Sequence, residues 1–421
     1  MKSLLQVLGR GDYIFNENLS ACENGSELSW NEELGAVNLK TNTSEKCYVY
    51  FDKRITLADV CNPDNNLSEC IINYYNATGD MGNGLYHHDA DLTNGAEDNS
   101  YRYAGANPNN YVCFGSDAAT CPSDNLYRII GVFGNEVKLI KNTSLGNYYW
   151  SGSSSNTSNT WSSSTLNTGT LNGTYLSGLG STWSNKIATT SWKVGGIGYD
   201  AYRSPFNIAY DYEINNPNSD VETTYNSKIG LMYVSDYIYA AQPEDWNTTM
   251  GDYVYEDNAN PNNNWMYINV HEWTISRDSD FTFVAFRVHS LGYLGDRDVN
   301  EAYAVRPVFY LTSFVQYFGG EGTLENPIRL SNNEIQFTIE GIQYTALEGM
   351  KWGDWISSEY NTSEYQQHCT NDYVSVDCRG ITGVIDNTNS TSVTITDKIY
   401  SREYSHGGMH DPCSCVTLPE M

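Results

Sequence analysis

Positively charged side chains are scarce in this sequence. Of its 421 residues, 23 are Lys or Arg and 51 are Asp or Glu, which gives a formal net charge of −28 and a pI near 4.4. A polyanion such as nucleic acid, or an anionic membrane surface, would be repelled over most of such a protein. The composition therefore argues against nucleic-acid partners, and it is typical of a protein that stays in solution outside a cell.

Motifs of the common enzyme classes and of membrane proteins are missing as well. The sequence has no Gly-rich phosphate loop, no GxSxG nucleophile elbow and no HExxH zinc motif. No apolar run approaches the ~20 residues that a membrane-spanning helix needs. We therefore predict no catalytic residues, no enzyme activity, no cofactor and no insertion into a membrane. Attraction of Ca²⁺ to the acidic surface is the one cation role that stays open.

Two segments contain residues that can ligate a metal, but neither has the spacing of a known site. A calcium-binding loop counted from Asp89 needs Gly at its sixth position and Glu at its twelfth, where this chain has Asn94 and Ser100. The second segment is spaced irregularly, and its cysteines favour a disulfide or a free tail over zinc. We predict no metal site. The ligands considered are His87, His88, Asp89 and Asp91 in the first segment and His406, His410, Cys413 and Cys415 in the second.

The ten cysteines occur as neighbours along the sequence. An even number at short spacings favours local disulfides and an oxidising, extracellular compartment, where each closed loop contributes about 2 to 4 kcal/mol. Connectivity does not follow from sequence alone, so the pairing of neighbours is an argument from proximity. The predicted disulfides are Cys22 with Cys47, Cys61 with Cys70, Cys113 with Cys121, Cys369 with Cys378, and Cys413 with Cys415.

Apolar patterns divide the chain into three units. Residues 1–58 read as a small N-terminal β module, residues 59–330 as a central domain with long ordered loops, and residues 331–421 as a small C-terminal β-rich module. Short strand-like runs separated by Asn-, Asp- and Gly-rich loops outnumber helical segments. We therefore predict an α+β fold that is mostly β.

Three local structures can be assigned from spacing. Two apolar runs flank Gly134 and Asn135, a dipeptide that suits the turn of a two-residue β-hairpin. Residues 335–346 read as a second hairpin. Apolar side chains recur at helical spacing between residues 170 and 190, which predicts an amphipathic helix there. Its apolar stripe is expected in the core: Leu176, Leu179, Trp183 and Ile187.

Aromatic residues are plentiful. The sequence has 34 Tyr, 10 Trp and 12 Phe among many Asn, Ser and Gly residues, a composition that resembles binding loops, where aromatic rings supply contact area at low entropic cost. The alternative is a loop-rich fold that buries its tyrosines among its own turns. The Ser/Thr/Asn tract at residues 150–165 has the composition of a linker, yet Trp150 and Trp161 within it must be buried or must bind something.

The segment 272–311 combines a plain strand pattern with large side chains of mixed chemistry around turn residues. A rigid frame whose loops present aromatic anchors and adaptable polar groups is the arrangement of immune-type binding surfaces. We therefore expect ligand contact here. The predicted ligand-binding residues are Trp273, Arg277, Asp278, Phe281, Phe283, His289, Tyr293, Arg297, Asp298 and Tyr303.

Six sequence blocks stand in a fixed order between residues 98 and 311: DNSYRYAGANPNNYVCFG, NLYRIIGVFGNEVKLIK, TWSNKIATTSWKVGG, KIGLMYVSDY, EWTISR and AVRPVFYL. Together they resemble an uncharacterised domain found in surface proteins of gut Firmicutes and related bacteria. The resemblance covers about residues 80 to 330.

That domain is in turn similar to the C-type-lectin-like fold shared by formylglycine-generating enzymes and by the variable proteins of diversity-generating retroelements. In those variable proteins, a final segment ending in a motif similar to VRPV at residues 305–308 carries diversified surface residues. The resemblance implies a C-type-lectin-like central domain whose site lies between Arg277 and Tyr303. The enzymes of the group use cysteines near their active site, and this segment has none, so oxidase activity is not implied.

The resemblance implies an extracellular or cell-surface, adhesin-like protein that binds a protein or glycan ligand on another cell or surface. The segment FTIEGIQYTALEGMKWGDWISSEYNT also resembles a small appended domain of bacterial surface proteins and phage structural proteins. The alternative function is therefore that of a structural subunit, which self-associates into an extracellular filament or a phage virion.

Overall fold

The computed structural model describes twelve stretches of the chain. They are residues 2–6, 13–31, 35–41, 44–61, 65–79, 84–154, 158–198, 203–215, 222–249, 261–331, 334–339 and 342–347. Strands outnumber helices in these stretches, and the helices are short, which confirms an α+β fold that is mostly β. The predicted cysteine pairs at 369/378 and 413/415, together with His406 and His410, lie outside the described residues.

The strands are numbered in chain order. They are β1 (Lys2–Gln6), β2 (Tyr13–Cys22), β3 (Glu27–Asn31), β4 (Ala36–Lys40), β5 (Cys47–Lys53), β6 (Leu85–His88), β7 (Ser100–Tyr103), β8 (Tyr111–Cys113), β9 (Leu126–Phe133), β10 (Glu136–Lys141), β11 (Asn147–Tyr149), β12 (Thr190–Lys193), β13 (Thr224–Ser227), β14 (Glu272–Arg277), β15 (Val284–Val288), β16 (Leu294–Asp298), β17 (Ala302–Ala304), β18 (Val308–Tyr310), β19 (Tyr317–Gly319), β20 (Arg329–Leu330), β21 (Glu334–Ile339) and β22 (Ile342–Leu347).

The helical segments are of three kinds. The α-helices are Leu57–Val60, Leu67–Thr78, Leu176–Gly178, Ser181–Ser184, Phe206–Tyr210 and Val234–Tyr239; the 3₁₀ turns are Ser123–Asn125, Trp161–Ser163, Pro243–Trp246 and Pro261–Asn263; the π-helical segments are Leu166–Tyr175 and Asp211–Asn215. In the described part of the chain, no helix has both the length and the apolar character to cross a bilayer.

The first strands form a small unit with a core of its own. Strands β1, β4 and β3 make a three-stranded sheet, and β2 pairs with β5 as a separate ribbon. Cys22 stands directly opposite Cys47 at the end of that ribbon, and the two form a disulfide. A buried cluster of Cys22, Leu28 and Val37 fills the space between the sheets.

The central sheet is built around the β9–β10 hairpin. Its strand order is β18-β10-β9-β7-β6, and β8 also pairs with β9. Gly134 takes a positive φ of 63° at the hairpin turn, as the Gly-Asn dipeptide predicts. Nearly every residue of β9 and β10 is buried, because the helix Leu67–Thr78 and other elements cover the sheet. The predicted hairpin is confirmed, and β21 pairs with β22 as the second predicted hairpin.

A five-stranded sheet carries the segment that the sequence analysis singled out. Its order is β11-β17-β14-β15-β16, with β16 at the edge. All residues of β14 and β15 are buried, whereas β16 is exposed over its last three residues. The chain then passes from β17 in this sheet to β18 in the central sheet through residues 305–307, so the VRP block connects the two sheets.

Two buried ion pairs join sequence blocks that are far apart in the chain. Lys138 Nζ lies 2.6 Å from Asp236 Oδ2, and both side chains are inaccessible to solvent. The guanidinium of Arg306 makes a fork with Glu272, with bonds of 2.6 Å and 2.9 Å to the two carboxylate oxygens. Breaking a buried pair leaves an uncompensated charge, so these contacts fix how the blocks meet. The residues of the VRP and EWTIS blocks that form this fork therefore hold the scaffold together.

The predicted helix at residues 170–190 exists as several short pieces. It begins earlier, with the π-helical segment Leu166–Tyr175, and it is interrupted before Ser181–Ser184 by Gly180, which has a φ of +73°. Trp183 and Ile187 are buried in the main core, as predicted for the apolar stripe, whereas Leu176 and Leu179 are half-buried at its margin.

The tract at residues 150–165 has a linker's composition, but several of its described residues pack into the core. Trp150 and Trp161 are fully buried, with ring centroids 5.0 Å apart, which confirms that they had to be buried or bound. The described polar residues Asn159 and Ser164 are buried with them. A linker interpretation of the described part of the tract is therefore wrong, because the Trp150 indole N–H and the Asn159 amide donate to backbone carbonyls between residues 274 and 284.

Three predicted disulfides form within the described residues. Cys22 pairs with Cys47, Cys61 with Cys70, and Cys113 with Cys121, as proximity predicted. The described part of the chain has no free cysteine.

Candidate functional site

The ten predicted ligand-binding residues occupy three environments on the five-stranded sheet. Three lie in or just after β14, two lie on the β14–β15 turn, and the others lie along β16, on β17 or on the β15–β16 turn. The five residues of β15 separate the two turns by about 13 Å, at ~3.3 Å per residue. The structure therefore distributes the predicted set along the hairpin: Phe281 and Phe283 lie at one end and His289 and Tyr293 at the other, whereas Arg297 and Asp298 lie on β16 opposite the first residues of β15.

The β14 group is a correction, because Trp273, Arg277 and Asp278 are buried. The Trp273 indole N–H donates to the carbonyl of Tyr148 at 3.1 Å. Arg277 packs directly against Gly196, where a Cβ would collide with its carbonyl and side chain. The prediction that these three residues contact a ligand is wrong. Every residue of β14 is buried, and so is Asp278 directly after it.

Asp278 shapes the β14–β15 turn from within. Its Oδ1 accepts the backbone N–H of Asp280 at 2.8 Å and that of Phe281 at 3.3 Å. Burial raises the pKa of this carboxyl, and the two backbone donors oppose that effect. Asp278 is therefore a turn-forming residue.

Asn159 holds the same turn from the interior of the protein. Its buried side-chain amide donates to the carbonyl oxygens of Asp278 at 2.9 Å, Phe281 at 2.7 Å and Val284 at 2.7 Å. Its backbone N–H donates to the Thr282 carbonyl at 2.7 Å. The backbone of the turn is thus fixed by a residue more than a hundred positions earlier.

Two phenylalanines project from this fixed turn. Phe281 is 53% exposed and Phe283 is 46% exposed, and their ring centroids lie 6.3 Å apart in an edge-to-face arrangement. Large apolar side chains on a rigid, hydrogen-bonded turn lose little conformational entropy when a partner covers them. The structure places both predicted residues where a ligand can reach them.

The other end of the hairpin carries what we name the histidine–arginine cluster. His289 stacks on Tyr293 with ring centroids 4.1 Å apart, and His271 meets His289 edge to face at 4.4 Å. The Arg287 guanidinium lies 5.3 Å above the ring of Tyr303. The cluster consists of His271, Arg287, His289, Tyr293 and Tyr303, together with Arg297, which lies farther along β16 and acts electrostatically on both histidines.

Strand register brings the two arginines of the cluster to one face of the sheet. Arg297 pairs with Ala285, and Arg287 pairs with Gly295 in the same ladder. Because side chains alternate along a strand, Asp296 and Asp298 belong to the opposite face. Arg297 and Asp298, predicted together as contacts, are both exposed but point away from each other.

Hydrogen bonds set the tautomer of both histidines. Nδ1 of His271 accepts the backbone N–H of Ser290 at 3.1 Å, and Nδ1 of His289 accepts that of Leu291 at 3.1 Å. A backbone N–H can only donate, so Nδ1 is unprotonated and Nε2 carries the proton of each neutral ring. Burial, and then the charge of Arg287, lowers the pKa of both, that of His289 to about 4. Both rings are therefore neutral donors at pH 7.

His271, Arg287 and Asn159 were missed by the sequence analysis. Arg287 offered one signal, since it is a lone cation within the apolar strand VAFRV. Asn159 offered none, because it stands in a Ser/Thr/Asn-rich tract and its partners are 119 to 125 residues away.

The considered metal ligands of the first segment, which the structure describes, do not converge. His88 is buried against Tyr239 and Trp246, with its Nδ1 accepting the Ala96 N–H at 3.1 Å, whereas the neighbouring His87 lies 3.1 Å from Asp89. Among the described residues, one trio of possible ligands does come together, and its two sulfurs are already joined in a disulfide: Cys22, Glu45 and Cys47.

Comparison with known proteins gives no match to a family model, to a curated protein or to a solved structure.

Proposed function

We propose that the protein is an extracellular or surface-displayed binding protein without enzyme activity. The observation that carries this proposal is the exposed Phe281–Phe283 pair on a turn whose backbone is fixed by Asn159 and Asp278. Binding energy at protein surfaces is concentrated in aromatic anchors, and a pre-organised anchor avoids the entropic cost of ordering.

The location outside the cell is supported by covalent and electrostatic features. Three disulfides form within the described residues, and such bonds persist in oxidising compartments. The formal charge of −28 favours solubility and disfavours nucleic-acid partners. The ligand is then a protein or a glycan on another cell or surface.

We also propose a C-type-lectin-like architecture for the central domain, related to the bacterial surface domain that its sequence blocks resemble. Supporting this, the Glu272–Arg306 fork joins the EWTIS block to the VRP block, and Lys138–Asp236 joins two others. The blocks thus meet in one core. On this interpretation, the segment between the EWTIS and VRP blocks carries the binding side chains.

The test is binding of the full chain to immobilised glycans and to intact bacterial and epithelial cells. The double variant Phe281→Ser/Phe283→Ser should lose about tenfold or more of its binding with an unchanged melting temperature, because both rings are exposed and few core contacts are removed. Phe318→Ser, which changes a phenylalanine that is 74% exposed elsewhere, is the matched control. Equal binding by the double variant, or no saturable binding by the wild type, contradicts the proposal.

A structural subunit is the second candidate, and exposed apolar side chains on the β2–β5 ribbon favour it. They are Tyr13, Ile14, Leu19, Tyr48 and Tyr50. Apolar surface of this kind is usual where chains associate. The mass of the native protein in solution distinguishes the two functions. A filament subunit forms concentration-dependent polymers, and a Tyr48→Ser/Tyr50→Ser variant should lose them. A protein that stays monomeric excludes this candidate.

A further inference from the structure

Positive charge is concentrated in the histidine–arginine cluster, although the chain as a whole is strongly acidic. After burial, the neighbouring groups Arg287, His271 and Arg297 all lower the pKa of His289. No described carboxylate forms an ion pair with Arg287 or Arg297. The cluster is thus a cationic island, with Arg297 exposed to solvent and Arg287 buried beneath it.

Arg287 is the unusual member of this island. It is 2% exposed, and its Nε has no hydrogen-bond partner. Its NH1 lies 3.0 Å from the neutral His271 ring. A buried guanidinium without a carboxylate is costly, because it has lost its hydration.

Arg277 shares an unpartnered Nε with Arg287, but three other buried cations in the described chain are satisfied. Lys138 and Arg306 each meet a carboxylate at 2.6 Å. Arg128 donates to four oxygens, those of Asn110 at 2.7 Å, Pro108 at 3.0 Å, Asn107 at 3.3 Å and Trp265 at 3.4 Å. Arg287 has no carboxylate partner: its guanidinium contacts the His271 ring and the Tyr303 hydroxyl, and its Nε is left without a hydrogen bond, so its positive charge is not neutralised within the described chain.

The outward-facing polar groups of the cluster are mainly hydrogen-bond donors. Both imidazoles use Nδ1 to accept a backbone N–H, which leaves Nε2–H as their outward donor. The guanidiniums of Arg287 and Arg297 can only donate, and a planar guanidinium matches a carboxylate with two parallel bonds. The complementary ligand group is an anion.

The remaining surface of the cluster is aromatic. Tyr293 and His289 are stacked and half-buried, and Tyr303 lies against Trp273 with ring centroids 4.8 Å apart. Ring faces offer apolar contact, and tyrosine hydroxyls both donate and accept. A carboxylated sugar combines an anion, hydroxyl groups and an apolar C–H face in one small unit, whereas an acidic peptide side chain presents the anion alone.

We propose that the histidine–arginine cluster binds the carboxylate-bearing sugar of an acidic glycan. This inference rests on the proposed binding function and names its ligand class. Arg297 holds the carboxylate at the surface, Arg287 supports it with positive charge from beneath, the two imidazole Nε2–H groups donate to it or to neighbouring hydroxyls, and Tyr293 and Tyr303 contact the sugar ring.

The test is isothermal titration of the full chain with matched pairs of sugars. Trigalacturonate is compared with the equivalently linked trigalactose, which lacks only the carboxylates, and sialyllactose is compared with lactose, which lacks the whole acidic sugar, so that the two arms distinguish the source of the acid. We expect at least one acidic member to bind about tenfold or more tightly than its neutral counterpart, since bonds to charged groups are the strong ones. Affinity should fall as salt rises.

Variants distinguish binding at the cluster from a general effect of positive charge. Arg297→Gln should weaken acidic-sugar binding about tenfold or more, and Lys46→Gln, which also removes one exposed positive charge, should leave it unchanged. Arg287→Lys keeps a buried cation but loses the planar guanidinium that positions His271 and Tyr303, so it should weaken binding while circular dichroism and melting temperature confirm the fold.

Several results would overturn the inference. They are equal affinity for acidic and neutral sugars, equal loss in Arg297→Gln and Lys46→Gln, or binding of a tri-aspartate peptide as tight as that of the acidic sugars. If cells or glycans are still captured through Phe281 and Phe283 in that case, the proposed function stands and only the ligand class is wrong.

Discussion

Replacing Asn159 by Ala tests the structural claim that a residue in a linker-like tract holds the binding turn. The substitution removes the amide that donates to the carbonyls of Asp278, Phe281 and Val284, and it leaves the backbone bond to Thr282 in place. The chemistry of Phe281 is not altered. Any change in the turn therefore comes from its lost support.

The magnitude follows from the hydrogen bonds. An amide has two N–H groups, each worth about 1 kcal/mol net, and a buried carbonyl left without a donor costs about 1 to 3 kcal/mol more. Relief of the Asn159 Oδ1, which has no partner, offsets part of this cost. We expect the free energy of unfolding to fall by about 2 to 4 kcal/mol, or about 2 to 4 °C in melting temperature for each kcal/mol.

Urea denaturation followed by tryptophan fluorescence measures the stability, and hydrogen exchange of residues 278–284 measures the turn. Exchange at the amides of Asp280 and Phe281 should accelerate in Asn159→Ala, and ligand capture should fall with it. Asn147→Ala, which changes an exposed Asn on β11, is the matched control. A loss below about 0.5 kcal/mol with unchanged exchange would refute the reasoning, because it would mean that the turn keeps its form without the amide.

Three further outcomes are expected. Arg306→Met should lower the free energy of unfolding by about 3 to 5 kcal/mol in urea denaturation, because it leaves the buried Glu272 carboxylate without its partner. Adding Glu272→Gln should recover part of that loss, and additive losses would argue against the pair. The pKa of His289 is lowered to about 4 in the folded protein, below the unfolded value near 6.5, so the unfolded state binds more protons between these values. The free energy of unfolding should therefore fall as pH drops from 6.5 towards 4, and it should fall less steeply in His289→Gln. Identical slopes for the two proteins would contradict the lowered pKa. Opening the Cys113–Cys121 loop with a double Ser variant should cost about 2.5 kcal/mol by the loop-closure relation, measured by denaturation after mass spectrometry has confirmed the bond; no loss would mean that the loop is ordered without it.

Local features of the fold could be predicted because their causes are local. The β9–β10 hairpin follows from Gly134 and Asn135, which suit positive φ angles between two apolar runs. The three described disulfides follow from short spacing. The helical stripe ending at Ile187 was predicted, but its division into pieces depends on packing around Gly180 that the spacing does not reveal.

The candidate site could be predicted only in part, because its organisation is tertiary. Phe281 and Arg297 are exposed as expected, since turns and edge strands leave their side chains in solvent. Arg277 reads as a surface residue but is buried against Gly196, a contact made across some eighty residues of chain. The separation between the β14–β15 turn and the β15–β16 turn follows from the length of β15. The place of His271 in the cluster follows from its ring contact with His289, which lies on another turn.

The most direct test of the central claim is the dissociation constant of the full chain for a ligand surface, measured with and without the exposed aromatic pair. The structure predicts that Phe281→Ser/Phe283→Ser weakens binding about tenfold or more while Phe318→Ser binds like the wild type. If both variants bind as the wild type does, the β14–β15 turn is an ordinary surface loop, and the proposed binding role of this sheet is contradicted.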